Sequence, residues 1–214
     1  MPRGVFLTLD GLDGTGKSTQ CKLLVERLRS HGLEVTSCTD PGGTELGAKL
    51  REILLFGREI GMTPRAEALL FMASRAELVE RVIRPALAAG HVVVSDRFVL
   101  ANVVYQGHAG GLNPDDLWTV GHVATDGLFP SLTLVFDLPP EVAASRRGRA
   151  ADRLESRGLE YQTKVRDGFL LEARYNPEKL KVIDATPEPN AVHEAVWTEV
   201  RELLKSRGVE VEGK

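Results

Sequence analysis

The chain has 214 residues, a formal net charge of −3 at pH 7 and a hydrophobic fraction of 43%. This length fits one domain with a substantial core, and the small negative charge argues against a general binder of nucleic acid or membrane surfaces. No apolar run approaches the roughly 20 residues that cross a bilayer, and the first residues do not resemble a signal peptide. Cys21 and Cys38 show neither zinc-site nor redox spacing. We therefore expect a cytoplasmic globular protein with reduced, structural cysteines.

The first predicted strand, Val5–Leu9, runs into a phosphate-binding sequence, Gly11-Leu12-Asp13-Gly14-Thr15-Gly16-Lys17-Ser18. It fits the pattern G-x-x-x-x-G-K-[ST] between a strand and a helix. The glycines let backbone N–H groups turn towards phosphate oxygens, and the helix that begins near Lys17 adds its positive end. Lys17 is expected to reach the β- and γ-phosphates, and Ser18 to hold Mg²⁺. The predicted triphosphate contacts are Gly11, Asp13, Gly14, Thr15, Gly16, Lys17, Ser18 and Thr19.

Four more strands are predicted further along the chain, with amphipathic helices between them. The strands are Leu33–Ser37, His91–Ser95, Leu132–Phe136 and Leu180–Ile183. Apolar residues at helical spacing predict helices around residues 46–54, over Leu69–Ile83 and on to about Gly90, and over Ala191–Leu204. This alternation is typical of a parallel sheet covered by helices. The sequence therefore predicts one α/β domain over residues 1–214, a doubly wound five-stranded parallel sheet flanked by helices.

Four of the five predicted strands run directly into an aspartate: Asp10, Asp96, Asp137 and Asp184. Ligands of such sheets bind outside the carboxyl ends of the strands. We interpret Asp137 and Asp184 as helix-cap or turn residues. Asp10 flanks the phosphate loop and Asp96 precedes an arginine, and an aspartate ending a neighbouring strand can hold Mg²⁺. The predicted magnesium ligands are therefore Ser18 and Asp96, with Asp13 of the loop added below.

Three further segments narrow the function. They are Asp40-Pro41-Gly42-Gly43-Thr44 with Leu50-Arg51, then Leu69–Arg75, and then Asp96-Arg97-Phe98 continuing to Asn102 and Tyr105-Gln106-Gly107. Because these segments follow the phosphate loop in this order, the chain closely resembles the thymidylate kinase family from about residue 5 to residue 204. The segment that ends in Tyr-Gln-Gly is the most specific of the three. The resemblance implies a nucleoside-monophosphate kinase fold, ATP and Mg²⁺ as cofactors, dTMP as substrate and a homodimer packed through long helices such as Leu69–Ile83.

The resemblance also assigns residues that contact the base and the sugar. Phe71 matches a phenylalanine that stacks on thymine, and Arg75 matches an arginine that bonds a thymine carbonyl. An aromatic face and a guanidinium donor suit these tasks, and a spacing of four places both side chains on one helix face. Asp13 matches a carboxylate that accepts a hydrogen bond from the 3′-hydroxyl of dTMP and helps to place Mg²⁺. The alternative for Phe71 is an ordinary core position, and for Asp13 a turn residue.

Five more positions complete the implied dTMP site. Arg97 matches the arginine that grips the acceptor phosphate, and Arg51 matches another that lines this site, as the planar guanidinium fork suits phosphate. Asn102 lies where the family places a polar side chain facing the pyrimidine. Tyr105 matches a ring under the sugar that leaves little room for a 2′-hydroxyl, and Gln106 lines the same pocket.

A basic stretch near residue 150 resembles the mobile lid of nucleoside-monophosphate kinases, at about residues 141–160. It contains Arg146-Arg147-Gly148-Arg149 and Asp152-Arg153. Family members with glycine at the position of Gly14 take their catalytic arginines from the lid, so this chain resembles the lid-arginine type. Among the lid arginines, Arg153 is the first candidate for a catalytic role and Arg147 or Arg149 the second, alongside Lys17, Asp13 and Arg97. The acceptor is already an ionised phosphate, so catalysis needs positioning and cations rather than a general base.

Two departures from the family concern the acceptor base. Thr39-Asp40 precedes Pro41 where relatives commonly have Arg-Glu, and Ala101 stands where many have serine. One alternative is therefore a kinase for another deoxynucleotide, or for a deoxynucleoside with Asp40 as the base. A second alternative is a non-catalytic nucleotide-binding regulator. A regulator is expected to have lost Lys17, Arg97 or the lid arginines, and the sequence keeps them.

Overall fold

The computed structural model describes residues 4–57, 60–147, 153–209 and 211, apart from the side chain of Glu155. Within these residues, five parallel strands form one sheet in the order β2-β3-β1-β4-β5. The strands are β1 (Val5–Gly11), β2 (Val35–Thr39), β3 (Val92–Asp96), β4 (Leu132–Asp137) and β5 (Leu180–Asp184). The predicted fold class, a five-stranded parallel sheet flanked by helices, is confirmed.

Each strand extends further towards its carboxyl end than the sequence predicted. Leu9 pairs with Asp96, and Asp137 pairs with Asp184, so residues expected to begin the loops still belong to the parallel ladder. Asp184 accepts a hydrogen bond from the backbone N of Thr186 at 2.8 Å, which confirms its predicted turn role. The cap or turn interpretation of Asp137 is wrong, because its carboxylate binds the Arg166 guanidinium at 2.6 and 2.9 Å.

Helices connect these strands and cover both faces of the sheet. The α-helices among the described residues are α1 (Lys17–Ser30), α2 (Glu45–Phe56), α3 (Pro64–Leu78), α4 (Arg84–Ala88), α5 (Val99–Asn102), α6 (Pro114–Thr125), α7 (Pro140–Arg146), α8 (Leu159–Tyr175) and α9 (Pro189–Ser206). Two π-helical turns, Val79–Ile83 and Val103–His108, and one 3₁₀ turn, Glu155–Arg157, complete the list. No helix in the described ranges is long and apolar enough to cross a membrane.

The long helix predicted from Leu69 to about Gly90 is confirmed, with a local widening. Helix α3 continues through the π-helical turn Val79–Ile83 into α4, and Gly90 follows with a positive φ of 85°. Pro85 has no backbone N–H to continue the regular α-helical ladder, and the widened turn lies directly before it. The final predicted helix is also confirmed, as α9.

Side chains along β1 alternate between two buried clusters. Leu7 and Leu9 belong to the larger cluster, together with Leu24 of α1. Phe6 belongs to the smaller cluster, together with Met72 of α3. A strand buried on both sides in this way is typical of a parallel sheet with helices on both faces. The strands therefore supply apolar side chains to both clusters, and their carboxyl ends carry Asp10, Asp96 and Asp137.

The sheet order places a crevice beside the phosphate loop. β1 and β3 are neighbours, but the connection after β1 leads to β2 at one edge, whereas the connection after β3 leads to β4 on the other side of β1. Such a reversal opens a ligand-binding crevice at the carboxyl ends of the two strands. The loop that follows β1 and the Asp96-Arg97 pair that ends β3 lie at this point.

Candidate active site

The phosphate loop between β1 and α1 depends on glycine conformations. Gly11, Gly14 and Gly16 have φ values of 131°, 92° and 90°, a region that other residues rarely adopt. A Cβ on Gly14 would also clash with the carbonyl oxygen of Ala143 in α7. Helix α1 begins at Lys17 with no side-chain cap, so its first N–H groups stay available to an anion.

Lys17 and Ser18 face the carboxylates that surround the loop. Lys17 is buried, its Nζ donates to the carbonyl of Leu12 at 2.7 Å, and it lies 3.8 Å from Asp13 Oδ1. Burial and the charge of Arg97 lower the pKa of Lys17. Ser18 Oγ donates to Asp96 Oδ2 at 2.8 Å. The side chains of Ser18 and Asp96, predicted from separate segments as magnesium ligands, therefore meet at one point.

The donors around Ser18 fit a Mg²⁺ ion that arrives with a triphosphate. A hydroxyl and carboxylates are hard oxygen ligands, which Mg²⁺ prefers, and it commonly binds through one or two such groups plus phosphate oxygens. The described residues contain no cluster of three or more His, Cys, Asp or Glu side chains suited to hold a metal by themselves. Ser18 and Asp96, with Asp13 nearby, would therefore hold an ion that the phosphates also bind.

Arg97 connects the phosphate loop with the acceptor side of the crevice. Its guanidinium donates to Asp13 Oδ1 at 2.6 Å, to the carbonyl of Gly11 at 3.0 Å and to the Tyr105 hydroxyl at 3.3 Å. Burial opposes its charge, but Asp13, Tyr105 and Asp10 hold the pKa of Arg97 well above its usual range. Its φ of 72° is unusual for a residue other than glycine, and such backbone strain is concentrated at functional sites.

Asp10 lies beneath this cluster and was assigned no role from the sequence. Its side chain is fully buried, neither carboxylate oxygen has a hydrogen-bond partner, and Oδ1 lies 3.7 Å from the Arg97 guanidinium. Burial raises the pKa of Asp10 to about 7, although the charges of Arg97 and Lys17 oppose the shift. The floor of the site thus contains a carboxyl that titrates near neutral pH.

One cleft of about 710 Å³ joins the phosphate loop to the predicted acceptor residues. The predicted site residues that line it are Asp13, Gly14, Thr15, Gly16, Lys17, Ser18, Thr19, Arg51, Phe71, Arg75, Asp96, Arg97, Asn102, Tyr105, Gln106 and Arg147. Gly11 lies at the base of the loop and Arg153 lies outside the lining, while Arg149 lies outside the described residues. Residues from five separate segments therefore meet in one space.

Arg75 is buried in the wall of this cleft by four polar contacts. Its guanidinium pairs with Asp40 Oδ2 at 2.5 Å and donates to Asn102 Oδ1 at 2.8 Å and to the carbonyl of Phe98 at 3.1 Å, while Met72 Sδ lies at 2.9 Å. Burial raises the pKa of Asp40, and Arg75 opposes that rise. Asp40 is thus held as the ionic partner of Arg75, which argues against its use as a base in a deoxynucleoside kinase.

The other acceptor residues lie near this pair. Phe71 is one helical turn before Arg75 on α3, and Arg51 of α2 donates to the carbonyl of Pro41 at 2.8 Å. Thr39 and Ala101, the two departures from the family pattern, both line the cleft. Any effect of these departures on base selection would therefore be direct.

The arginines in the described part of the predicted lid contact different parts of the molecule. Arg147 lines the cleft, and its chain neighbour Arg146 donates to the carbonyls of Ala185 and Thr186 at 2.7 and 3.0 Å. Arg153, the first candidate among the lid arginines, instead donates to the Leu54 carbonyl at 2.9 Å. It also forms an ion pair of 2.6 Å with Glu67, as described below.

Glu67 and Arg157 were missed by the sequence analysis. Arg157 Nη2 donates to Glu67 Oε2 at 2.6 Å, and Gln106 Nε2 donates to Glu67 Oε1 at 2.7 Å. The available signal was the position of Glu67, four residues before Phe71 and eight before Arg75 on the same face of α3. An acidic residue on a helix face whose other residues are assigned to ligand binding indicates that the carboxylate pairs with a buried basic or polar group.

Comparison with known proteins identifies the family to which this arrangement belongs. A family model described as thymidylate kinase matches residues 9–196. A thymidylate kinase of Rhodopirellula baltica is 49% identical over 90% of this chain and 78% of its own length, and one of Caldanaerobacter subterraneus subsp. tengcongensis is 46% identical over 97% and 100%. A crystal structure of thymidylate kinase from Ehrlichia chaffeensis superimposes with a TM-score of 0.76 at 29% identity, covering 94% of this chain and 99% of that one. The chain belongs to the thymidylate kinase family.

Proposed function

We propose that this protein transfers the γ-phosphoryl group of ATP to dTMP, forming dTDP and ADP on the route to dTTP. The observation that carries this proposal is the single cleft in which a phosphate loop faces the acceptor residues across Arg97. The membership of the chain in the thymidylate kinase family supports the same reaction. Two phosphate-bearing substrates must meet for phosphoryl transfer, and in this cleft the phosphate loop would bind one of them and Arg97 the other.

The donor half would bind the ATP phosphates through backbone N–H groups of the loop and the N-terminus of α1. Lys17, now bonded to the Leu12 carbonyl, would exchange that contact for phosphate oxygens. Ser18 and Asp96 would hold Mg²⁺, which supplies positive charge to the transferring phosphoryl group. These residues bind and orient the donor, and Lys17 adds a second positive charge beside the phosphates.

The acceptor half would bind dTMP between α3 and the segment that follows β3. Phe71 would stack on the base. At the edge of the base, Arg75 would donate a hydrogen bond and Asn102 would accept one. Tyr105 would lie under the sugar, and Asp13 would accept a hydrogen bond from the 3′-hydroxyl of the sugar. Arg97 would exchange the Asp13 contact for the acceptor phosphate, a charge-assisted pairing that suits a guanidinium.

The transfer itself requires alignment and positive charge. The dTMP phosphate is an anion before reaction, so no residue has to remove a proton. Arg97 and Lys17 flank the point where the two phosphates would meet, and Arg147 lines the same cleft. Of the lid arginines among the described residues, Arg147 would contribute directly, whereas Arg153 would first have to leave Glu67.

The other functions considered from the sequence have less support. A deoxynucleoside kinase needs a free carboxylate at the 5′-hydroxyl, but Asp40 is bound by Arg75. A non-catalytic regulator is not expected to keep Lys17, Arg97 and Arg147 together in one cleft.

Product analysis tests the proposed reaction. Purified protein would be mixed with ATP, Mg²⁺ and dTMP, and the ³¹P NMR spectrum recorded over time. We expect the paired resonances of dTDP and ADP to grow together at equal rates as dTMP and ATP decline. Growth of ADP with inorganic phosphate and unchanged dTMP would show hydrolysis instead and would contradict the proposal.

A further inference from the structure

Glu67 is a buried carboxylate between Gln106, which lines the cleft, and residues 153–157 of the predicted lid, here called the lid segment. It lies on α3 and is 1% exposed. Its Oε1 accepts from Gln106 Nε2 at 2.7 Å, whereas its Oε2 lies 2.6 Å from both Arg153 Nη1 and Arg157 Nη2. The two oxygens therefore serve different parts of the molecule.

Glu67 also sets the direction of a row of hydrogen bonds. Arg75 Nη1 donates to Asn102 Oδ1 at 2.8 Å, Asn102 Nδ2 donates to Gln106 Oε1 at 2.9 Å, and Gln106 donates to Glu67. A guanidinium can only donate and a carboxylate can only accept, so the two ends of the row are fixed. Rotation of either amide by half a turn would place like groups against each other. The row therefore holds Asn102 and Gln106 in one orientation.

This orientation matters for the choice of base. With its amide fixed, Asn102 presents a carbonyl oxygen beside the donors of Arg75. Thymine carries an N–H donor next to a carbonyl acceptor, and cytosine carries a ring-nitrogen acceptor next to an amino donor. An acceptor and a donor side by side thus complement thymine and oppose cytosine. Reversal of the Asn102 amide would remove that distinction.

The lid segment contributes the charges that keep Glu67 in place. A buried carboxylate is costly unless it is paired, and two guanidinium groups pair with Glu67 here. Displacement of Arg153 and Arg157 would leave a buried negative charge with the Gln106 amide as its one remaining polar contact among the described residues. The position of the lid segment and the orientation of the row are therefore linked through one side chain.

We propose that Glu67 is a positioning residue that fixes the base-reading amides and anchors the lid segment, so that thymine recognition and lid placement are coupled. This inference rests on the proposed dTMP kinase function. Glu67 touches neither substrate in this account, because it acts through Gln106 and Asn102 on one side and through Arg153 and Arg157 on the other.

The test compares Glu67→Gln with a matched control, Glu172→Gln. Glu172 is also a buried glutamate, which accepts from His108 at 2.8 Å and from Trp118 at 3.3 Å outside the cleft. For Glu67→Gln we expect the ratio of kcat/KM for dTMP to that for dCMP to fall at least about tenfold, as for one misoriented hydrogen bond. For Glu172→Gln the ratio should stay within about twofold of the wild type.

A second readout separates coupling from a loss of stability. Hydrogen exchange of residues 153–162 would be followed with and without dTMP. We expect dTMP to slow this exchange in the wild type and in Glu172→Gln, but not in Glu67→Gln. A folded Glu67→Gln protein with an unchanged selectivity ratio and an unchanged dTMP effect would overturn the inference.

A second variant, Arg157→Gln, provides the test if Glu67→Gln does not fold. The side chain of Arg157 is 30% exposed, so its replacement should be tolerated, and the hydrogen bond from Gln106 to Glu67 is left in place. We expect the dTMP effect on exchange to weaken and kcat to fall at least about threefold. Unchanged exchange and kcat would overturn the coupling.

A wild-type protein without activity on dTMP would overturn the proposed function and this inference together, whereas an active wild type with unaffected variants would overturn this inference alone.

Discussion

Arg97 shows how neighbouring groups can hold a positive charge in position before the acceptor phosphate binds. Its guanidinium is held by Asp13, the Gly11 carbonyl and the Tyr105 hydroxyl, so its planar fork is oriented before a phosphate arrives. The Asp13 contact would be exchanged for the acceptor phosphate, whereas the contacts with the Gly11 carbonyl and the Tyr105 hydroxyl would remain, so part of the orientation of the guanidinium is set before the substrate binds. The strained φ of 72° at this residue is consistent with such a task.

Replacement of Arg97 tests this role at the residue scale. We expect Arg97→Ala to lower kcat/KM for dTMP by about a thousandfold, in the range found when a transition-state cation is removed. ATP binding should change little, because Lys17 and the backbone of the loop still hold the donor. Steady-state kinetics and titration calorimetry with ATP would measure the two effects. Wild-type turnover in this variant would show that the acceptor phosphate binds elsewhere.

Asp10 predicts a dependence of stability on pH. Its pKa is about 7 in the folded protein against an ordinary value of 3.8. Between about pH 4 and pH 7 the unfolded chain has released this proton and the folded protein has kept it, so the contribution of Asp10 to the free energy of unfolding falls as pH rises.

The variant Asp10→Asn isolates this contribution, because asparagine does not titrate. The free energy of unfolding of the wild type relative to Asp10→Asn should fall by up to about 1.4 kcal/mol per pH unit over this range, and then level off above about pH 7. Urea unfolding of both proteins at several pH values would measure the difference. A difference that does not vary with pH would contradict the assigned pKa.

At the scale of elements, the phosphate loop lies against the base of the lid. A Cβ on Gly14 would meet the Ala143 carbonyl of α7 and, at 3.1 Å, the Cγ atom of Arg147. Position 14 thus requires glycine for two reasons: its φ of 92° is rarely adopted by other residues, and the Ala143 carbonyl lies too close to leave room for a Cβ atom. The absence of a side chain at Gly14 lets Arg147 enter the cleft, which agrees with the assignment of this chain to the lid-arginine type.

Gly14→Ala should therefore weaken ATP binding, and Gly32→Ala provides the control. Gly32 also has a positive φ, 77°, but an added Cβ would meet nothing within 4 Å. We expect each variant to lose about 1 kcal/mol or more of stability through backbone strain, and only Gly14→Ala to lose at least about tenfold in ATP affinity. Equal ATP affinity in the two variants would contradict the contact between loop and lid base.

The elements could be predicted from the sequence because their signals are local. The apolar runs of β1 and β4, the glycine loop and the spacing of α9 each lie within one segment, and the structure has all of them. The sequence predicts carboxyl ends for the strands that lie too early in the chain. A charged residue such as Asp96 is typical of the start of a loop, but in the structure it still pairs with β1.

Parts of the site escaped prediction because they depend on contacts between distant segments. Arg157 and Glu67 are 90 residues apart along the chain, and no local pattern in either segment indicates the other. The position of Arg153 follows from the same carboxylate, so an arginine assigned by family resemblance to the phosphates lies against α3 in this structure. The buried state of Asp10 likewise depends on its neighbours in the fold.

At the scale of the whole molecule, the homodimer implied by the family resemblance stays a prediction. Large apolar side chains are exposed on two helices that pack against each other: Leu69 of α3 at 51% and Val123 of α6 at 76%. Exposed apolar groups of this size are candidates for burial between subunits. We expect the wild type to sediment as a dimer and the Leu69→Glu, Val123→Glu double variant as a monomer. A wild-type monomer at all concentrations, or an unchanged dimer in the variant, would contradict this interface.

ADP release with a panel of acceptors would show whether this protein transfers the γ-phosphoryl group of ATP to dTMP. The purified protein would receive ATP, Mg²⁺ and one acceptor at a time: dTMP, dUMP, dCMP, dGMP, dAMP or thymidine, with an acceptor-free control. We predict that dTMP gives the highest kcat/KM and that the acceptor-free rate is negligible. Faster turnover of thymidine or of another monophosphate, or no turnover with any acceptor despite ATP binding, would contradict the account.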